Sequence, residues 1–209
     1  MQLILVNGKK RSGKDFFAST LKTELSKLGK TAEVMSFAEP LKGIVAETFD
    51  ITKQQLDDYK NDAEQVGIIR TKMSGTDYEV LTDFRLILQR FGTEAMKKYF
   101  GEDVWVKLLA DRAYKSKADF IIVPDFRFFT EDIPGAITVK IKNANFDNAG
   151  DLHRSETELD NFDFMHTFDN TDYPDISSDV RQFAESLCKW RNGDIAFDQL
   201  IIVILNINC

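Results

Sequence analysis

Apolar residues recur along this chain with two alternating spacings, and their order predicts the architecture. Residues 2–7 are a short apolar run rich in branched side chains that ends at Asn7-Gly8, the pattern of a buried parallel strand. From Gly13 to Leu28 the apolar positions Phe17, Leu21, Leu25 and Leu28 fall at helical spacing, and Gly29 stops the helix. Residues 32–37 read as a second strand. Pro40 stands where a helix can begin, and residues 40–49 carry a helical pattern. Strand, loop, helix, strand, helix is the opening of an α/β fold with a parallel sheet covered by helices.

Residues 50–78 are polar and mixed, which predicts a short helix near 52–60 and then a mobile loop. Two helices follow, one with Leu81, Phe84, Leu88, Phe91 and Ala95 on a stripe, the other with Val104, Trp105, Leu108 and Leu109. Residues 119–124 and 136–141 are predicted strands, 143–160 a charged candidate lid, 163–168 a fifth strand and 177–191 a helix. The apolar tail 200–205 reads as a buried element or a sticky end.

Composition narrows the class. Hydrophobic residues make up 43% of 209 and charged residues 29%, so one sizeable core is feasible without staples. The 17 Phe argue against disorder. A net charge of −7 argues against a nucleic-acid or anionic-membrane binder, which needs a basic face. Two cysteines, Cys188 and Cys209, exclude a disulfide framework and fit a reducing, cytoplasmic compartment. Met1–Val6 has no basic lead and no small-residue cleavage site, so it reads as a strand rather than a signal peptide. No apolar run approaches the ~20 residues of a membrane span.

Against that acidic background one turn is strongly basic. Gly8-Lys9-Lys10-Arg11-Ser12-Gly13-Lys14-Asp15 lies directly after a strand and before a helix, with the spacing of a phosphate loop. Glycines let the backbone wrap an anion, the helix N-terminus adds partial positive charge, and Lys14 is a point charge able to reach outer phosphates. Asp15 stands where such loops usually carry the Ser or Thr that ligates magnesium. A carboxylate there holds the ion directly or through water, and without the ion it repels phosphate, so Asp15 makes the site more metal-dependent.

Strand 119–124 ends in Pro124-Asp125-Phe126-Arg127. An acid at the C-terminal tip of such a strand points at the crevice where ligands bind. Asp125 is the candidate for outer-sphere magnesium coordination, Arg127 for clamping a phosphoryl group, and Glu131 for orienting Arg127 on the substrate side. The plainer alternative for Asp125 is a turn cap. In the lid, Arg154 is the candidate that arrives on closure to stabilise transition-state charge, with a solvated charged loop as the alternative. Lys42, Lys60, Arg70 and Arg85 are the basic candidates for an acceptor anion. Gln89, one turn from Arg85, is placed to read a base edge, and Trp105 or Phe91 to stack on one or to pack in the core.

Gly8–Phe16, Phe37-Ala38-Glu39-Pro40-Leu41-Lys42, Arg85–Glu94, Gly101–Val106 and Asp125-Phe126-Arg127-Phe128 together resemble the deoxynucleoside monophosphate kinases of tailed bacteriophages. The resemblance covers most of residues 1–170 and is most specific from Arg85 to Val106. It implies a P-loop NTPase fold, a three-layer α/β/α sandwich on a mostly parallel five-stranded sheet. It further implies a single kinase domain over 1–209, with a helical acceptor-binding region at about 50–117 and a lid at about 143–160. The implied reaction is transfer of the ATP γ-phosphoryl to a dNMP with Mg2+, in the host cytoplasm if the source is a phage. Gly8, Arg11, Ser12, Gly13, Lys14, Asp15 and Phe16 would then serve ATP. Lys42, Arg85, Gln89 and Trp105 would serve the acceptor, and Asn170 would lie near the ATP base. The expected partners are small molecules, with a homodimer left open. Ser12–Phe16, Pro40-Leu41-Lys42, Glu156 and Leu159-Asp160-Asn161-Phe162 also resemble the animal-type phosphomevalonate kinases. A nucleotide-binding protein without catalysis is the remaining alternative.

Overall fold

A computed structural model describes residues 1–61, 67–73, 76–82, 84–146, 154–171 and 176–189, leaving aside the side chains of 60, 61, 67–73, 76–82 and 155. In chain order its elements are β1 (Gln2–Gly8), α1 (Lys14–Lys27), β2 (Ala32–Val34), α2 (Glu39–Thr48), α3 (Lys53–Asn61), β3 (Gly67–Met73), β4 (Thr76–Thr82), α4 (Phe84–Gln89), α5 (Lys98–Phe100), α6 (Val104–Lys115), β5 (Phe120–Val123), β6 (Ile137–Lys142), α7 (Arg154–Thr157), β7 (His166–Asp169) and α8 (Ile176–Lys189). They group into two compact units, Met1–Phe37 with the chain from Trp105 onward, and Ala38–Val104.

The first unit is built on a five-stranded sheet of order β2-β5-β1-β6-β7 in which every pairing is parallel. Its register explains the apolar runs. Ile4 pairs with Ile122 and Ile137, and Val6 with Val139, so these side chains share one face. The same face takes Phe17, Leu21 and Leu25 of α1 and Val180, Phe183 and Leu187 of α8 into a single core. The alternate positions Leu3, Leu5, Ile121 and Val123 face the other way and are buried as well. A sheet buried on both faces is the middle layer of an α/β/α sandwich, and it needs unbroken apolar strands. Each such side chain removed from water contributes roughly 1.5–3 kcal/mol before chain entropy is counted.

The edge strand β7 starts three residues later than the sequence pattern predicts, at His166. Phe168 then lies 5.0 Å from the Phe17 ring and 5.3 Å from Phe183, while His166 stands edge-on to Phe183 at 4.9 Å. Partial desolvation against Phe183 pushes the His166 imidazole below its ordinary value, although the residue stays exposed. The folded state therefore binds this proton less readily than the unfolded chain. His166 costs no stability well above its ordinary value near 6.5 and subtracts stability as pH falls through it. We expect His166→Phe to flatten the acid side of the thermal-stability profile below pH ~6.5, and an unaltered profile would refute the assignment.

The second unit corrects the predicted insertion in three places. Where a mobile loop is expected after residue 60, β3 and β4 form an antiparallel hairpin, with Ile69 opposite Val80 and Met73 opposite Thr76. Leu81 belongs to that hairpin, so the helical stripe begins at Phe84 rather than before it. Between α4 and α5 the chain is wound as a π-helix, Arg90–Lys97. The insertion therefore carries a hairpin beside its helices.

Of the predicted lid, the structure describes a 3-10 turn at Ala144–Phe146 and the single turn α7. Residues 147–153, with His153, and the apolar tail 200–205 lie outside the described residues. Among the described residues no helix is long and apolar enough to cross a membrane.

Candidate functional site

The site grows from the end of the central strand. β1 delivers Asn7-Gly8 to the C-terminal edge of the sheet, where ligands of open parallel sheets bind. The chain then turns back into α1 through two residues of positive φ, Arg11 at 64° and Gly13 at 99°. Ser12 N donates to Lys9 O at 3.1 Å and closes the turn. A residue of ordinary hand between two left-handed ones is the backbone arrangement that gathers amides around an anion. The first helical bond is Phe17 N to Gly13 O at 2.9 Å, and no side chain caps the helix N-terminus.

Two glycines are required by close approach. A Cβ on Gly8 would stand 2.5 Å from Ser12 Oγ and 2.6 Å from Ile141 O, and one on Gly13 would stand 2.3 Å from Asn170 Nδ2. The Gly8 contact with Ile141 is to backbone, which cannot swing aside. Gly8→Ala is therefore expected to force the loop off this path and to weaken polyphosphate binding more than it lowers the thermal midpoint. Calorimetric titration of ATP beside a melting curve checks it.

Lys14 Nζ folds back over the loop and donates to Gly8 O and Lys9 O, both at 2.7 Å. The Ser12 hydroxyl is buried, and among the described residues its oxygen has no hydrogen-bond partner. Buried polar atoms are rarely left so, and an acceptor such as a phosphate oxygen would satisfy the hydroxyl. Asp15 and Arg11 are exposed, while Phe16 turns inward to pack on the core.

The second acid and its arginine enter from the neighbouring strand. The turn after β5 is fastened to β1 by Phe126 N to Val6 O at 3.2 Å and by Asn7 Nδ2 to Phe126 O at 2.8 Å. Asp125 accepts from Ser36 Oγ at 2.5 Å and Phe37 N at 2.9 Å, so its carboxylate is braced rather than loose. Glu131 is buried and accepts from the Arg127 and Phe128 amides at 2.8 and 3.1 Å, so it orients the backbone that carries Arg127. The Arg127 guanidinium pairs with Glu156. Burial pulls its pKa down, but the charges of Glu156, Asp125 and Glu131 outweigh that and hold it above its ordinary value. Arg127 is thus a fixed cation.

Residues 154–160 bring acids onto these cations. Lys9 Nζ donates to Glu156 O and Asp160 Oδ1, both at 2.5 Å. Arg154 pairs with Glu158 and lies 5.6 Å above the Phe128 ring, exposed. Glu156 and Asp160 as partners of Arg127 and Lys9 escaped the residue-by-residue reading. Their alternation opposite a basic turn was the available signal. Asn170 is the other neighbour of the loop, with Nδ2 donating to Ser12 O at 2.9 Å.

The acceptor candidates are carried elsewhere. Lys42, Lys60, Arg70, Arg85 and Gln89 all belong to the second unit. Lys42 pairs with Asp57 at 2.7 Å, and Arg85 and Gln89 are both half-buried one turn apart on α4. The side chains of Lys60 and Arg70 lie outside the described residues. Trp105, at the start of α6 in the first unit, is 5% exposed.

No family model matches the chain, and no curated protein matches it. Matching solved structures include pNOB8 ParA, at 10% identity and a TM-score of 0.35 over 68% of this chain. The chain spans about half, 52%, of that structure. Cobyrinic acid a,c-diamide synthase from Mycobacterium smegmatis matches at 13% identity over 89% of this chain and 82% of the other. Its TM-score is 0.41 for the structure with an ATP analogue and magnesium and 0.39 for that with ADP and magnesium.

Proposed function

We propose that this protein is a P-loop kinase that transfers the γ-phosphoryl group of ATP to a deoxynucleoside monophosphate, giving ADP and a deoxynucleoside diphosphate. The observation that carries the reading is one cluster at the sheet edge. A basic turn with two left-handed residues, the Lys14 ammonium folded over it and a buried, unpartnered Ser12 hydroxyl together suit an anion. The braced acid Asp125 and the fixed cation Arg127 follow the adjacent strand. The acceptor identity rests on the resemblance from Arg85 to Val106.

Each residue then has a task. The loop amides and Lys14 hold the β- and γ-phosphoryl oxygens. Arg127 presents a planar fork to the group in transfer, and Arg154 adds a second cation from the lid. Glu131 keeps Arg127 oriented. Lys42, Lys60, Arg70 and Arg85 counter the acceptor phosphate, and Gln89 reads its base, while Trp105 packs in the core of the first unit. No general base is required, because the attacking acceptor oxygen is already anionic. Its bond to the γ-phosphorus forms as the bond from that phosphorus to the β,γ-bridging oxygen breaks, and the bridging oxygen leaves on the β-phosphate of ADP.

Asp15 and Asp125 are the residues to hold magnesium. Among the described residues no three His, Cys, Asp or Glu side chains form a metal cage. One or two carboxylates plus substrate phosphates is the usual donor set for this ion; Asp15 would contribute directly or through water, and Asp125, whose two oxygens already accept from Ser36 and Phe37, would sit in the outer sphere. When bound, magnesium supplies charge neutralisation across the outer phosphates.

A coupled ADP assay with a panel of deoxy- and ribonucleoside monophosphates and phosphomevalonate tests the reading. ADP release is expected to require both magnesium and a deoxynucleoside monophosphate. Turnover with phosphomevalonate alone overturns the acceptor assignment, and ATP binding without any acceptor-dependent turnover overturns the kinase assignment.

A further inference from the structure

The geometry points to Asn170 as a positioning residue that sets the direction of a phosphate-loop amide, an inference that rests on the reading of that loop as the polyphosphate site. Asn170 follows the edge strand β7 and is 7% exposed. Its own backbone is tied on both sides. Asn170 N donates to Lys142 O at 2.8 Å, and Asn170 O accepts from Asn143 Nδ2 at 2.7 Å. The side chain thus projects from a fixed anchor and donates to Ser12 O at 2.9 Å, 158 residues away in sequence.

What this bond fixes follows from peptide geometry. No peptide in the described chain is cis. In a planar trans peptide the carbonyl and the N–H point in opposite directions. With the Ser12 carbonyl held toward Asn170, the Gly13 N–H must point the other way. Gly13 is also the residue least able to hold that orientation alone, because glycine takes either sign of φ at little cost. Here φ is +99°, so rotation of the 12–13 peptide is opposed by no side chain of Gly13 itself. The missing Cβ is in turn what admits the brace, since a Cβ would stand 2.3 Å from Asn170 Nδ2.

A second observation separates bracing from ordinary core stability. Asn170 Oδ1 is buried and has no hydrogen-bond partner among the described residues. Such an atom carries a desolvation cost that an apolar side chain would avoid. The amide is thus costly to the fold by one atom and useful to the loop by the other.

The test uses the whole chain with Asn170→Ser, which is too short to reach Ser12, and Asn170→Asp, which keeps the shape but replaces the donor with an acceptor. Hydrogen exchange of residues 8–15 in the ligand-free protein is read against exchange in β1 and β5. ATP binding by calorimetry and the split between KM and kcat are read beside it. We expect faster exchange confined to the loop, and ATP binding weaker by about tenfold with a smaller change in kcat at saturation. If Asn170→Asp does not fold, Asn170→Ser carries the test alone. Loop exchange equal to that of the parent, or acceleration spread equally over the core strands, overturns the brace. Faster loop exchange in a protein that binds no ATP in either form keeps the brace and overturns the loop as a nucleotide site.

Discussion

Replacing Lys14 with alanine is expected to lower kcat by roughly 10²–10³-fold, the usual cost of removing one preorganised donor to transition-state charge. The effect on folding should be small. Lys14 is half-buried at the first position of α1, and its ammonium donates to two loop carbonyls, Gly8 O and Lys9 O. Those carbonyls are neutral acceptors. A phosphate oxygen is charged and accepts about twice as strongly, so exchange of these two carbonyls for the ligand favours the ligand. As negative charge develops on the transferring group, the attraction grows, and only the part that grows accelerates the step. ATP affinity should therefore fall less than kcat. Lys14→Arg should not rescue the rate, because a planar fork on a wider head does not fill the place of a compact point charge. Steady-state kinetics with a melting curve for each variant give both numbers. A Lys14→Ala protein with the parent kcat would remove the loop from the mechanism.

The architecture was legible because it is written in local pattern. The runs at 2–7, 119–124 and 136–141 are apolar at consecutive positions, and only a strand covered on both faces asks for that. The helix over Phe17, Leu21 and Leu25 reads equally well, since one stripe meets one sheet face. The hairpin β3–β4 was not legible in the same way. Its residues mix Ile68, Ile69 and Val80 with Arg70, Lys72, Asp77 and Glu79, which hides the period-two alternation under charge. The two apolar runs separated by Ser74-Gly75 were the signal that favoured a hairpin over a loop. Leu81 reads as part of the helical stripe because it sits three residues before Phe84, a spacing that a strand followed by a helix produces by coincidence. The π-helix at Arg90–Lys97 has no residue signature of its own, since it differs from an α-helix only in which carbonyl each amide meets.

For the site, the split falls between groups that act through the backbone next to them and groups that act across the chain. Gly8, Ser12, Gly13 and Lys14 could be read because a turn between strand and helix needs particular residues at fixed offsets. Asp125 and Arg127 could be read because the tip of a strand has one address in a parallel sheet. Ser36 as the hydroxyl on Asp125 and Glu156 as the partner of Arg127 lie 89 and 29 residues from the groups they touch. Asn170 reaches the loop from 158 residues away. Nothing in local spacing encodes such pairings. They follow from the strand order, in which β5 pairs directly with β1 on one side and β6 carries β7 on the other.

Arg127→Ala is expected to do two things at once, and the pair of effects is diagnostic. The rate should fall by roughly 10³-fold, the low end for removing an arginine that meets the transferring phosphoryl group. Stability should also fall, by about 1–3 kcal/mol, because a buried acid left without its partner keeps its desolvation cost. The Glu156 side chain is only 6% exposed, against 30% for Arg127, so the acid is the more deeply buried member of the pair. Asp125 and Glu131 lose the same neighbouring positive charge. Arg127→Lys separates the two effects. It keeps a positive charge beside Glu156 and should recover much of the melting temperature, but it lacks the two parallel donors that match a phosphoryl group and should recover little of the rate. Thermal unfolding and kcat on both variants decide the role. Recovery of rate and stability together in Arg127→Lys would make charge alone sufficient. A parent kcat in Arg127→Ala with a lowered midpoint would reduce the residue to an ion pair of the fold. A raised acceptor KM at unchanged kcat would move Arg127 from the transferring group to the acceptor phosphate, since only ground-state binding would then have been lost.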